Sequence, residues 1–332
     1  MTPPLEAGLE VMGDSATIVS VVIPAFDECE VIEAAVQEVE RALSICGVGW
    51  EIIVVDDGSA DGTIDRLRQV VDQNENVRAL RLSRNFGKEA AILAGLDVSS
   101  GHAVITIDAD LQHPPALIPE MVRRWRQGAK VVNAVKRNRD PNHHFSNRGR
   151  AVFNATLDYF GGLNLKNASD FKLLDRVVVD AIVNDMPERA RFYRGLADWV
   201  GYEQATIQFD VEARAGGVTK WSFLSLSKLA ISALISFTVM PLRIVTFLGV
   251  ATLVFGAIVG SDAVISWSRG EAVSGFATII ITMCVIGSFI MLSLGIMGEY
   301  IGRIFEEAKR RPAYLIDMSL GFEDVERDIE ND

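Results

Sequence analysis

The sequence predicts an α/β fold built on a doubly wound parallel sheet, followed by a separate apolar part. Three observations carry that reading. Short β-branched runs alternate with stretches of helical periodicity from Thr17 to Val135. Three of those runs stop at acids: Pro24 to Glu28, Asp56-Asp57, and Asp108-Ala109-Asp110. Past Gly217 the chain turns apolar, with two runs long enough to cross a bilayer core of about 20 residues.

The elements follow in order. Thr17 to Pro24 is an apolar strand ended by proline, and Val31 to Leu43 has apolar residues three and four apart, the period of a helix. Glu51 to Val55 is a second strand, Asp61-Gly62-Thr63 a turn, and Ile64 to Val71 a helix. Val77 to Leu82 is a third strand. Arg84 to Lys88 forms a basic, glycine-containing loop, and Glu89 to Leu96 a helix. The run into Asp108 is a fourth strand, which Pro114-Pro115 cannot continue, and Lys130 to Val135 is a fifth. A helix near Val177 to Val183 and a further strand over Glu203 to Arg214 complete the soluble part.

Acids at strand ends place charge at the carboxyl edge of the sheet, where open α/β folds bind ligands. Residues i and i+2 share a face in a strand, so Asp108 and Asp110 can point at one divalent ion, with Gln112 adding a third oxygen. Hard oxygens of this kind suit Mg2+ or Mn2+; the bland alternative is an Asp pair that caps the next helix. Three acid-ended strands at one edge favour the metal. His113, before the prolines, reads as a turn residue. Arg84, Asn85 and Lys88 line a donor pocket or form a solvated loop.

The chain has 332 residues, 49% of them hydrophobic, and a formal net charge of -12. That balance argues against nucleic acid as partner. Cys29, Cys46 and Cys284 lack metal-ligand spacing, which fits a reducing compartment and no zinc site. No secretory signal precedes the first strand, and neither a phosphate-binding P-loop nor G-x-G-x-x-G is present, so hydride-transfer cofactors are not expected.

The expected organisation is a flexible 1–16, a catalytic domain over 17–217, an interfacial amphipathic helix over 218–240, two transmembrane helices within 241–300 (about 242–267 and 275–298), and a tail over 301–332. Lys220, Lys228, Arg243, Arg303 and Lys309-Arg310-Arg311 flank the outer ends of the hairpin, whereas the loop between the spans has one Arg269. The positive-inside rule then puts the large domain and both termini in the cytoplasm. Glycine-rich spans permit close helix packing and a homo-oligomer.

Val22 to Glu28, Val54 to Thr63, Arg84 to Lys88 and Asp108 to Pro115 together resemble family 2 glycosyltransferases. Within that family, Ser169 to Asp175, Arg191 to Gly195, Thr219 to Ser222 and Gly298 to Arg303 resemble the branch that glycosylates polyprenyl phosphates. The resemblance implies a GT-A fold, a sugar nucleotide such as UDP-glucose, a polyprenyl phosphate acceptor and inversion at the anomeric carbon. It implies that Pro24, Phe26, Glu28, Asp56 and Asp57 hold the base and ribose side, and that Asp108, Ala109, Asp110, Gln112 and Lys136 lie along the metal and diphosphate. Lys136 stands where the family usually has arginine, Phe26 for tyrosine and Asp27 for asparagine. Arg124-Trp125 lacks the glutamine of the Q-x-x-R-W signature of processive synthases, so a single transfer is expected. Arg214 and Lys220 are candidate clamps for the lipid phosphate, or respond to anionic headgroups. Asp170 is a candidate base, an orienter of the acceptor, or a helix cap. A non-catalytic nucleotide-binding scaffold and a transporter are the other classes; two spans without paired internal charges fit the latter poorly.

Overall fold

In the computed structural model, the described residues are 17–136, 170–186, 193, 200–209, 240–270 and 275–322. Strand β1 (Ile18–Ala25) is enclosed on both faces, as its unbroken apolar run requires of a central parallel strand. It lies between β2 (Gly49–Asp56) and β4 (Ala103–Thr106), parallel to both. β2 in turn pairs in parallel with β3 (Val77–Leu82). Pro24 is tolerated because β4 stops pairing at Val22–Thr106. Val22 carbonyl accepts from Ile107 N–H on that side, so Pro24 faces the same way past the last rung, where its missing N–H removes no ladder bond.

Helices α1 (Ile32–Ser44), α2 (Thr63–Gln73), α3 (Lys88–Val98) and α4 (Ile118–Arg126) alternate with the strands, within a residue or two of the predicted ranges where a range was predicted. α1 buries Ile32, Ala35, Val36, Val39, Ala42 and Leu43, one stripe at helical spacing, against the same core as Val21, Ile23 and Ile52. α3 lies so close on β1 that a Cβ at Gly95 would stand 2.3 Å from Val22 Cγ1. No larger residue fits there without a shift.

Among the described residues the sheet has eight strands in the order β7-β5-β6-β4-β1-β2-β3-β8. The expected parallel block is β4-β1-β2-β3, and β5 (Val131–Lys136) pairs in parallel with β7 (Gln204–Phe209). Two strands make the sheet mixed. β6 (Lys172–Asp175) runs antiparallel between β4 and β5, and β8 (Ile316–Leu320) runs antiparallel on the outer edge of β3. Neither was predicted as a strand. β8 comes from the stretch read as a tail, so the chain returns to its first sheet after the apolar helices. A short helix α5 (Arg176–Asp180) follows β6, capped by the Asp175 carboxylate, and continues into a π-turn.

The described residues fall into two units, the sheet with its helices in one, and α6 (Met240–Ser268) and α7 (Phe276–Ala308) in the other. Within α6 and α7, Leu242–Ser268 and Ile281–Ala308 have mean hydropathies of 2.2 and 2.1, and neither apolar window is buried. Phe247, Leu253, Trp267, Met283 and Met291 are all exposed. In water that surface would be strongly unfavourable, whereas in hydrocarbon it is at home. α7 runs past Gly298, where the predicted span stopped. The predicted interfacial helix lies outside the described residues, apart from Met240 at the start of α6.

Candidate active site

The four parallel strands end at one edge of the sheet, and the loops that leave them are laced together. Asp27 N–H donates to Ser59 Oγ at 2.9 Å, Glu28 N–H to Thr63 Oγ1 at 3.1 Å, and Ala60 N–H to Asp27 Oδ1 at 3.1 Å. Asp27 has a φ of 54°, the left-handed region that short polar side chains such as Asp tolerate. The result is a cleft of about 660 Å³ lined by Asp27, Glu28, Cys29, Glu30, Val31, Ala60 and Asp61. Burial first, then Asp110, Asp61, Asp108 and Asp27, raise the Glu28 carboxyl above its ordinary pKa. Phe26 stands exposed beside it.

Asp56 and Asp57 work on the loops themselves. Asp56 is fully buried; it accepts from Ser59 N–H at 3.0 Å and from Ser59 Oγ, and Arg81 Nε lies 3.7 Å away. Asp57 accepts from Phe86 N–H at 2.7 Å and Gly87 N–H at 2.8 Å. Burial nevertheless raises its pKa, against the pull of those two bonds. Gly58, at φ 73°, lets Arg84 come close; a Cβ there would meet the Arg84 carbonyl carbon at 2.6 Å. Arg84 is exposed, with its guanidinium 4.4 Å from the centre of the Phe86 ring.

The Asp57 clamp sets where α3 begins, and Lys88 is its first residue. The Lys88 ammonium reaches Asp108 Oδ1 at 2.6 Å and Asp170 Oδ2 at 2.7 Å. Burial, the largest influence, pulls its pKa down, but Asp170 and Asp108 outweigh it, so the pKa is raised and the charge retained. Asp170 arrives here because β6 is antiparallel to β4. Lys172 pairs with Thr106, and the residues just before β6 therefore meet the carboxyl end of β4. Thr106 Oγ1 donates to the Asp170 carbonyl at 2.6 Å and lies 3.0 Å from the Tyr193 hydroxyl. Tyr193 is buried, which pushes its phenol pKa up, and its N–H donates to Glu89 Oε2 at 2.8 Å.

On the other side of Asp108 the chain folds back. Leu111 has a φ of 53°, and Gln112 N–H donates to Asp110 Oδ1 at 3.1 Å. This turn brings His113 round, so that its Nδ1 lies 4.0 Å from Asp108 Oδ2. Its ring packs on Phe171 at 5.7 Å and Phe209 at 5.8 Å between centroids. One donor atom each from Asp108, Asp110 and His113 lies within 4.8 Å of the others. Two carboxylates and an imidazole nitrogen gathered this closely are a donor set whose chemistry suits Mg2+ or Mn2+. His113, read from the sequence as a turn residue, is thus part of the acid group as well as of the turn. Gln112 is seen bonded to Asp110 through its backbone.

Among the remaining expected site residues, Pro24 and Ala109 are buried. Lys136 ends β5 beside Phe209 of β7, and its side chain lies outside the described residues. Arg214 and Lys220 also lie outside them. Thr106 and Tyr193 were missed from the sequence, since a lone hydroxyl carries no local signal of the carbonyl it will hold.

A GT-A-like mixed sheet with an acid-x-acid turn at its carboxyl edge is the architecture of a glycosyl-transferring enzyme. The model of the family "Glycosyl transferase family 2" matches residues 20–183, and the chain belongs to that family. An uncharacterized glycosyltransferase of Synechocystis is 38% identical over 306 residues, covering 92% of this chain and 96% of that one. The prophage bactoprenol glucosyl transferase homolog of Escherichia coli is 33% identical, over 90% of this chain and 98% of that one. The bactoprenol glucosyl transferase of Shigella phage SfV is also 33% identical, over 90% and 97%. Among solved structures, mannosyl-3-phosphoglycerate synthase from Rubrobacter xylanophilus is 18% identical with a TM-score of 0.45, over 66% of this chain and 72% of that one.

Proposed function

We propose that this glycosyltransferase moves a hexose, glucose from UDP-glucose, onto a polyprenyl phosphate such as undecaprenyl phosphate at the cytoplasmic face of the membrane. The observation that carries the reading is similarity over 90% of the chain to relatives named bactoprenol glucosyl transferase. The geometry supports it through the group formed by Asp108, Asp110 and His113 beside Lys88 and Asp170.

The reaction is an exchange of anions at one carbon. An acceptor phosphate oxygen forms a bond to the anomeric carbon from the face opposite the leaving group, so the configuration inverts. The bond from that carbon to the diphosphate oxygen breaks, and UDP leaves with the electron pair. A phosphate monoester with a second pKa of about 6 is largely ionised at neutral pH, so it needs little help from a general base. Asp170 therefore serves as an orienting anion more than as a proton acceptor. A bound Mg2+ or Mn2+ would be held by Asp108, Asp110 and His113, with Gln112 beside them, and would offset charge on the departing diphosphate. Glu28 lines the cleft assigned to the donor, Phe26 and Arg84 are assigned to the same substrate, and Asp56 and Asp57 hold the loops. Arg214 and Lys220, just before the apolar helices in sequence, are assigned to the lipid phosphate.

In this reading α6 and α7 cross the membrane as a hairpin. An even number of spans returns the chain to the side it left, which agrees with β8 rejoining the sheet. The test is a donor panel with undecaprenyl phosphate as acceptor: UDP-glucose, UDP-galactose, UDP-N-acetylglucosamine and GDP-mannose. UDP-glucose is expected to give the highest kcat/KM. A faster reaction with GDP-mannose would overturn the donor assignment, and no lipid product with any of the four would overturn the acceptor.

A further inference from the structure

We infer that Lys88 is a positioning residue of the transfer site, a built-in counter-cation that ties the metal-side acid Asp108 to the acceptor-side acid Asp170. The inference deepens the reading above and rests on it. Two distances carry it, 2.6 Å to Asp108 and 2.7 Å to Asp170. The rest of the fold holds that bridge in place. Asp57 fixes the backbone immediately before Lys88 through Phe86 and Gly87. The next residue, Glu89, takes the Tyr193 N–H, and the Tyr193 hydroxyl meets Thr106, which donates to the Asp170 carbonyl. Asp170 is thus gripped twice, by Lys88 on its carboxylate and by Thr106 on its backbone. Neither its own strand nor its own loop supplies those grips.

The electrostatics give the arrangement a purpose. Glu28, Asp108, Asp110 and Asp170 gather where two further anions must meet, a nucleoside diphosphate and a lipid phosphate. One fixed ammonium reduces that excess without closing the site to a metal. It also draws on Asp108, so ammonium and dication share that carboxylate. Removing the ammonium should leave a more negative ion site and a slack Asp170. Ion affinity and transfer rate are then expected to move in opposite directions, which a lysine that merely stiffened the fold would not produce.

The experiment uses the full-length protein in detergent. Mn2+ is titrated by electron paramagnetic resonance without donor, for the wild type, Lys88→Met and Lys88→Arg; kcat and KM are then measured with UDP-glucose and undecaprenyl phosphate at saturating Mn2+. Lys88→Met is expected to bind Mn2+ about tenfold tighter, because a positive charge beside a ligand is gone. Its kcat should fall about 100-fold, the scale of a misplaced reacting group, with the donor KM within about threefold. Lys88→Arg should keep the wild-type Mn2+ affinity within about threefold. Lys88→Gln, uncharged but polar, gives the same reading if thermal unfolding finds the methionine variant misfolded. Unchanged or weaker Mn2+ binding in a folded uncharged variant, or an unchanged kcat, would overturn the inference alone. A wild type that binds no Mn2+ would overturn the metal reading of the site and the inference with it.

Discussion

At Asp108 two demands meet in one carboxylate, since Oδ1 holds the Lys88 ammonium while Oδ2 faces the imidazole of His113. His113 packs against Phe171 and Phe209 and also brings a ring nitrogen near the carboxylates of Asp108 and Asp110. The two separate in His113→Phe, which keeps an aromatic ring and removes the nitrogen. Mn2+ affinity is expected to fall about tenfold with little change in thermal stability. Unchanged affinity would leave His113 a packing residue. The acid-x-acid pair was marked in the sequence as a strand end whose two carboxylates share a face, but β4 stops at Thr106, and it is the turn at Ala109–Asp110 that brings them together. The part played by His113 was not, because it depends on the backbone at Leu111 turning through the left-handed region. Lys88 and Asp170 were each marked as candidates, but 82 positions separate them, and only the tertiary fold shows that they touch.

Among the elements, α3 does most to connect the core with the site. One turn carries Lys88 and Glu89, and further along Gly95 lets the helix lie directly on Val22 of β1. Gly95→Ala should therefore lower stability by roughly 1–3 kcal/mol, the usual cost of overpacking, in spite of alanine's better helix propensity. Equilibrium unfolding by denaturant checks this, and a neutral or stabilising change would mean that α3 can slide away from β1 cheaply. β1 to β5 could be read from the sequence because each is a short run rich in apolar residues between turn signals, β3 carrying Arg78 and Arg81 among them. β6 could not: it is four residues long, it begins with a buried lysine, and its neighbour β4 is antiparallel to it. β8 alternates half-buried and exposed residues on a sheet edge, and nothing nearby in sequence marks its distant partner β3.

For the whole molecule, the net charge of -12 and the two apolar helices describe different parts of the chain. Asp27, Glu28, Glu30 and Asp61 line a cleft in one unit, and the other exposes large apolar side chains along two helices. A single charge at mid-bilayer costs on the order of 3 kcal/mol, so Asp262 should lie near the far interface. Sidedness follows from the two-span reading. Cysteines introduced singly in the loop 271–274 should react with an impermeant maleimide from outside intact cells. Cysteines placed in 323–332 should react only after the membrane is opened. The reverse pattern, or labelling of both from one side, would rule out the hairpin. The two apolar helices were plain in the sequence, because runs of that length with so few charges have few other uses. The return of the chain to the sheet was hidden, since strand pairing across more than 230 positions leaves no periodic trace.

The central claim is that acids at the rim of the sheet hold a dication that lets a sugar pass to a lipid phosphate. Its most direct measurement is the transfer of radiolabelled glucose from UDP-glucose into the organic-extractable lipid fraction by purified full-length protein, wild type against Asp110→Asn, with Mn2+ and with EDTA. The expected result is labelled lipid only for the wild type with metal, with the variant folded and inactive. Undiminished transfer by Asp110→Asn, or by the wild type in EDTA, would contradict the claim.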